Sequence, residues 1–165
     1  MKCPNHPERT VSRSIGYCSE CIRTQVVTST DIHTNIRIKE GLVPSIPTSR
    51  DIVCPDCGNH CRLSNGELGY CHTRIAQKGE VKTRFGDAVP VNWYFDPLPT
   101  NCVADWICPM NCERDSNLNN LAVFYGSCNS DCLFCQNCNY RQMMKKGTSL
   151  MTPDELYQAA DSRTA

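Results

Sequence analysis

Leu121-Ala-Val-Phe-Tyr125-Gly126-Ser-Cys128-Asn-Ser-Asp-Cys132-Leu-Phe-Cys135 is the stretch on which the reading of this chain turns. Leu121 to Tyr125 reads as a short buried strand. Gly126 supplies the turn. Three thiols then follow in C-x3-C-x2-C spacing. That spacing suits a four-iron cluster held at three corners with the fourth left open. An open metal position does chemistry, whereas a closed one mostly holds structure together. The expected local order is strand, cysteine loop, then helix.

The chain has 165 residues, enough for one domain or two small ones. Its 17 basic and 17 acidic residues cancel, and the sequence pI is about 6.8. No global field therefore calls for nucleic acid or an anionic membrane. No apolar run approaches the roughly 18 residues of a transmembrane helix. No apolar stretch follows Met1-Lys-Cys-Pro-Asn-His6, so no signal peptide is expected. These features point to the cytoplasm.

Fourteen cysteines are the anomaly in the composition. In a cytosol such thiols stay reduced, and clustered cysteines are better read as metal ligands than as disulfides. The sequence divides into four parts. Residues 1–24 read as a zinc-binding knuckle, 25–50 as a linker with at most a short strand or helix, 51–118 as a cysteine-rich lead-in, and 119–165 as strand, cysteine loop and helix. Within the lead-in, Val81, Thr83, Phe85, Val89, Val91, Trp93 and Phe95 alternate, and Gly86-Asp87 suggests a hairpin turn. Thr152-Pro153-Asp154-Glu155 reads as a capped helix start with a capping box. That helix meets the chain end without a stop signal, which suggests an N-terminal piece of a longer protein.

Cys3, His6, Cys18 and Cys21 form a C-x2-H and a C-x2-C pair, enough to close a tetrahedral zinc site whose role would be folding. Cys54, Cys57, Cys61 and Cys71 could hold zinc or a second iron–sulfur cluster, and spacing leaves both open. His60 and His72 read as solvated loop histidines. Cys102, Cys108 and Cys112 lack an obvious fourth partner and read as buried small hydrophobes. Cys138 could close the fourth group as C-x3-C-x2-C-x2-C, or stand outside it.

Cys128-x3-Cys132-x2-Cys135, with Phe134 before the last cysteine and Gln136-Asn137 after it, resembles the cluster loop of radical S-adenosylmethionine (SAM) proteins. More narrowly it resembles the pyruvate formate-lyase activating enzyme-like branch of the AmmeMemoRadiSam system. Cys54-Pro-Asp-Cys57-Gly-Asn-His-Cys61 with Gly66-Glu-Leu-Gly69-Tyr-Cys71-His-Thr-Arg74 is similar to the lead-in of those proteins. Asp96-Pro97-Leu98-Pro99 resembles their Asp-Pro step, and Asn120 to Gly126 their first barrel strand. The likeness covers roughly residues 54–160.

The resemblance implies that Cys128, Cys132 and Cys135 ligate a [4Fe–4S] cluster whose open iron chelates SAM, with Phe134 against the adenine. It implies reductive cleavage of SAM to methionine and a 5′-deoxyadenosyl radical. It also implies a flavodoxin- or ferredoxin-like electron donor and a substrate the sequence does not define, a protein among the candidates. The expected fold is a small, irregular cysteine-rich region with short β-hairpins, then the first β/α unit of a truncated radical SAM β/α barrel. A full barrel takes about 200 residues or more. The glycine-rich strand end that usually holds the SAM amino group is absent, so no turnover is expected of the chain as it stands. Two other classes compete: a multi-zinc module contacting protein or nucleic acid, and a ferredoxin-like electron carrier using Cys138. Scattered basic residues with no aromatic-basic patch make nucleic acid a poor partner.

Overall fold

The computed structural model describes residues 1–97, 105–107 and 119–162. The Asp-Pro step beyond Pro97 and Cys102, Cys108 and Cys112 lie outside the described residues.

The N-terminal part holds α1 (Ser19–Arg23) and α2 (Ser29–Glu40). α2 starts at Thr28, whose hydroxyl accepts from the Asp31 N–H while the Asp31 carboxylate accepts from the Thr28 N–H. It stops at Gly41, in the left-handed conformation at φ 69°. Residues 25–50, expected as a linker with at most a short strand or helix, hold a 12-residue helix. The Thr/Ser-rich composition suggested loop, yet the capping box and the spacing of Ile32 and Ile36 built a helix that docks. Ile32 is buried, and Arg37 is fully buried.

The lead-in forms two short antiparallel hairpins: β1 (Ile52–Val53) with β2 (Arg62–Leu63), and β3 (Arg74–Gln77) with β4 (Glu80–Thr83). The second closes through Lys78 and Gly79, both at positive φ. Two such residues give the turn whose twist matches the flanking strands. The alternating run 79–98 was expected to fold on itself at Gly86-Asp87. Its first half instead pairs backward with β3, because the tight turn lies at Lys78-Gly79.

The second half of that run becomes β5 (Val89–Pro97), the centre of a three-stranded antiparallel sheet in the order β6-β5-β7. β6 is Asn119–Tyr125 and β7 is Leu150–Met151. Val91 pairs with Tyr125 and Phe95 with Leu121. β6 was expected as a buried barrel strand. It is a strand, but Leu121, Phe124 and Tyr125 are exposed, and Phe124 stacks on Tyr94 at 5.7 Å. Among the described residues all strand pairs are antiparallel, and no barrel is formed.

β6 leads through the cysteine loop into α3 (Tyr140–Lys146), so the expected order of strand, loop and helix is present. Thr152 and Glu155 form the expected capping box of α4 (Pro153–Asp161), with Pro153 in its first turn. The described residues form three small cores. One gathers Cys3, Cys18, Cys21, Val27 and Ile32, another Cys54, Cys61, Leu63, Tyr70 and Ala76. The third joins Leu42, Tyr140 and Met144, with Cys128 and Cys135 packed on it. No described helix is long and apolar enough to cross a membrane.

Candidate metal centres

Cys3, His6, Cys18 and Cys21 converge as their spacing predicts. Their four ligand atoms all lie within 4.8 Å of one another. The Cys3–Cys21 and Cys18–Cys21 sulfur pairs are both 3.7 Å apart. His6 Nδ1 lies 3.3 Å from Cys18 and Cys21 Sγ and 4.0 Å from Cys3 Sγ. Zinc bonds of about 2.3 Å to sulfur and 2.0 Å to nitrogen place tetrahedral ligands about 3.5–3.8 Å apart. The group fits that shell. The same separations are far too long for disulfides, whose sulfurs stand about 2.05 Å apart.

Local structure explains the convergence. Cys3 N–H donates to the Arg9 carbonyl and Arg9 N–H to the His6 carbonyl, which curls the first pair into a knuckle. Cys18 stands at the N-cap of α1, and Cys21 sits one turn on. Asn5 Nδ2 donates to Cys21 Sγ at 3.8 Å and Arg9 Nη1 to Cys18 Sγ at 3.7 Å, a supporting shell for thiolates. Burial raises the Cys3 thiol, but the Cys18 and Asn5 N–H groups and the His6 ring outweigh it and bring it down to about 6. Cys18 is lowered chiefly by the Cys21 N–H. Cys21 is raised by burial and then by the Cys3 and Cys18 sulfurs. His6 is raised, first by its bond to Cys3. Easily ionised thiols in a tetrahedral cage suit a divalent cation.

Cys54, Cys57, Cys61 and Cys71 come together differently. They line one cleft of about 320 Å³ rather than a single point. Cys54 and Cys61 are buried, Cys57 and Cys71 partly so. Burial raises the Cys54 and Cys61 thiols, and neighbouring sulfurs raise them further. His60 is exposed, as expected of a loop histidine. His72 is not solvated. It is buried, and its Nε2 accepts from the Val43 N–H at 2.7 Å.

On the loop, Cys128 and Cys135 are partly buried while Cys132, Phe134 and Cys138 are exposed. The N–H groups of Ser130 and Asp131 donate to Cys128 Sγ at 3.4 and 3.3 Å. Such donors stabilise a thiolate ligand, and three cysteines on one surface loop are a donor set that fits an iron–sulfur cluster. Unlike the N-terminal group, these sulfurs do not crowd around the position of one ion. Gly126 makes the loop's departure possible for a reason other than turn geometry. A Cβ there would stand 2.7 Å from Pro90 Cβ and 2.8 Å from Met143 Cβ.

Asp131 anchors the loop, and sequence reasoning missed it. It is fully buried and sits at φ 49°. Arg37 Nη1 of α2 donates to its Oδ2 at 2.5 Å, and Arg141 Nε of α3 to its Oδ1 at 2.8 Å. The Tyr140 hydroxyl donates to the same Oδ1. His33 Nε2 lies 2.6 Å from its backbone carbonyl. Burial works to raise the Asp131 carboxyl, but these donors together hold it below the usual carboxylate range. Arg37 also donates to the Tyr70 carbonyl at 2.7 Å and lies 3.7 Å over the Tyr70 ring. One carboxylate thus ties the cysteine loop to α2, α3 and, through Arg37, the lead-in. The available signal was an acidic residue inside the C-x3-C span, with Tyr140-Arg141 ten residues on.

Compared with known proteins, the chain matches no family model, no curated protein and no solved structure.

Proposed function

We propose that the chain is an iron–sulfur metalloprotein of the radical SAM, activating-enzyme-like kind, folded at its N-terminal end by a structural zinc ion. Its carrying observation is the loop between β6 and α3. Asp131 turns inward and is clamped by Arg37, Tyr140 and Arg141, while Cys132 and Phe134 are left at the surface. A loop fixed from beneath, with N–H donors on Cys128, presents its thiols without reorganisation. Cys128, Cys132 and Cys135 would be the cluster ligands, and the exposed Phe134 ring offers a face to adenine. When bound, the cluster supplies the electron that cleaves SAM to methionine and a 5′-deoxyadenosyl radical. A flavodoxin- or ferredoxin-like donor, a substrate of undefined class and a cytoplasmic setting complete the proposal.

The tetrahedral group at Cys3, His6, Cys18 and Cys21 favours a second reading, a zinc-only binding module. Electron paramagnetic resonance on anaerobically reconstituted, dithionite-reduced protein separates the two. A [4Fe–4S]⁺ component that shifts on adding SAM, survives Cys138→Ala and is lost in Cys132→Ala is the expected result, whether or not SAM-indifferent iron remains. Iron indifferent to SAM and lost with Cys138→Ala would make the protein an electron carrier. Zinc without iron would leave the binding module.

A further inference from the structure

Cys54, Cys57, Cys61 and Cys71 share their cleft with a fifth thiol, Cys128 of the loop. The cleft is open on one side and has a volume of about 320 Å³. Liquid water occupies about 30 Å³ per molecule, so this space far exceeds what one ion needs. Among the described residues, the N-terminal group alone draws its ligand atoms within 4.8 Å of one another. Among the described residues the thiols therefore gather in two ways: one group drawn to single-ion dimensions, the other lining an open cleft.

The wall of that cleft offers a backbone donor to one sulfur and a hydroxyl beside another, while the Asp56 carboxylate accepts from Cys54 Sγ at 3.7 Å. Tyr70 N–H donates to Cys61 Sγ at 3.4 Å, and the Thr73 hydroxyl lies 3.2 Å from Cys71 Sγ. Arg74 stands at the cleft, held by Asp56 at 2.6 Å. Gly69 lies close enough to Cys61 that a Cβ there would meet its Sγ at 3.9 Å. The two chain segments are joined across the rim: Asn59 Nδ2 donates to the Asn129 carbonyl at 2.7 Å, and Ser127 Oγ to the Cys71 carbonyl at 3.0 Å.

We propose that this cleft binds a polynuclear iron–sulfur cluster through Cys54, Cys57, Cys61 and Cys71, with Cys128 as the wall it shares with the loop. It is distinct from the loop cluster, and it excludes zinc as the resident metal of the lead-in. The two centres would be neighbours, since one residue of the loop motif faces both.

Iron, zinc and acid-labile sulfide are measured on the full chain carrying Cys132→Ala and Cys135→Ala, after anaerobic reconstitution. Those changes remove the loop cluster and leave the cleft intact. The expected protein keeps iron and sulfide in about equal amounts, with visible absorption indifferent to SAM. Adding Cys57→Ser and Cys71→Ser, the two partly exposed ligands, should remove both elements. One equivalent of zinc retained at the N-terminal site shows that this variant is still folded. In the same background Cys128→Ser should shift the cluster's visible spectrum. Two zinc ions and no sulfide in the Cys132/Cys135 variant would overturn the proposal, as would iron that survives loss of Cys57 and Cys71. Iron X-ray absorption on the Cys132/Cys135 variant gives a second readout, independent of further mutation: iron–iron scattering supports the cluster, and its absence overturns it. Cleft iron in a chain whose wild type ignores SAM would sustain this proposal while the loop reading fell.

Discussion

The carboxylate of Asp131 lies fully buried against Arg37, Arg141 and the Tyr140 hydroxyl. Arg37 is itself fully buried, so removing the negative charge strands a cation away from water. Breaking such a pair costs about 3–5 kcal/mol. Asp131→Asn is expected to lower stability on that scale in urea titrations and to cut iron uptake by the loop. A urea midpoint unchanged from wild type would show that the network is not holding the loop. His72 gives a pH dependence. Burial, then Arg37 and Arg84, push its imidazole down to about 4, and the neutral ring accepts from Val43. The unfolded chain binds that proton near pH 6.5 and the folded one only near 4, so stability falls as pH drops through that window. Between pH 6.5 and 4 the decline should be steeper in wild type than in His72→Gln, as urea midpoints will show. Neither residue was legible as a buried group. A histidine flanked by Cys71 and Thr73, and an aspartate between cysteines, look like ordinary loop polarity until distant segments cover them.

At the scale of elements, local signals succeeded where the deciding contacts are local. The capping box of α4 involves residues three apart and was read directly. The β3–β4 hairpin was misplaced because Gly86-Asp87 is as good a turn signal on paper as Lys78-Gly79. Pairing partners chose between them: β5 finds β6 and β7, which leaves β4 to β3. The docking of α2 was not foreseen, because its buried face includes an arginine, normally a solvent residue. The meeting of β5, β6 and α3 at Gly126 yields a test. A methyl there would collide with Pro90 and Met143. Overpacking of this kind costs about 1–3 kcal/mol. Gly126→Ala should lower thermal stability and displace the cysteine loop, reducing reconstituted iron while N-terminal zinc stays at the wild-type level. Full iron loading in this variant would mean that the loop tolerates a shifted start.

Among the described residues, apolar burial is divided among three small cores, two of which contain buried cysteines. Small cores of this kind usually need staples such as metal ions. With a metal ion bound at Cys3, His6, Cys18 and Cys21, a strong chelator should therefore loosen Cys3 to Ile32 first. Limited proteolysis should then cut within residues 1–40 faster than before, and added zinc should restore resistance. Equal cutting rates with and without chelator would argue that the group holds no structural metal. By itself the sequence determined the Cys3, His6, Cys18 and Cys21 grouping, the strand–loop–helix order and the capped helix at Thr152. Each depends on residues close along the chain, where bond lengths and spacing limit what can meet. Tertiary structure alone decided that α2 clamps the loop through Arg37 and Asp131, that β6 pairs antiparallel with β5, and that Cys128 faces the lead-in thiols. Those contacts join residues tens of positions apart, and only packing of the folded chain selects among the many partners each could have had.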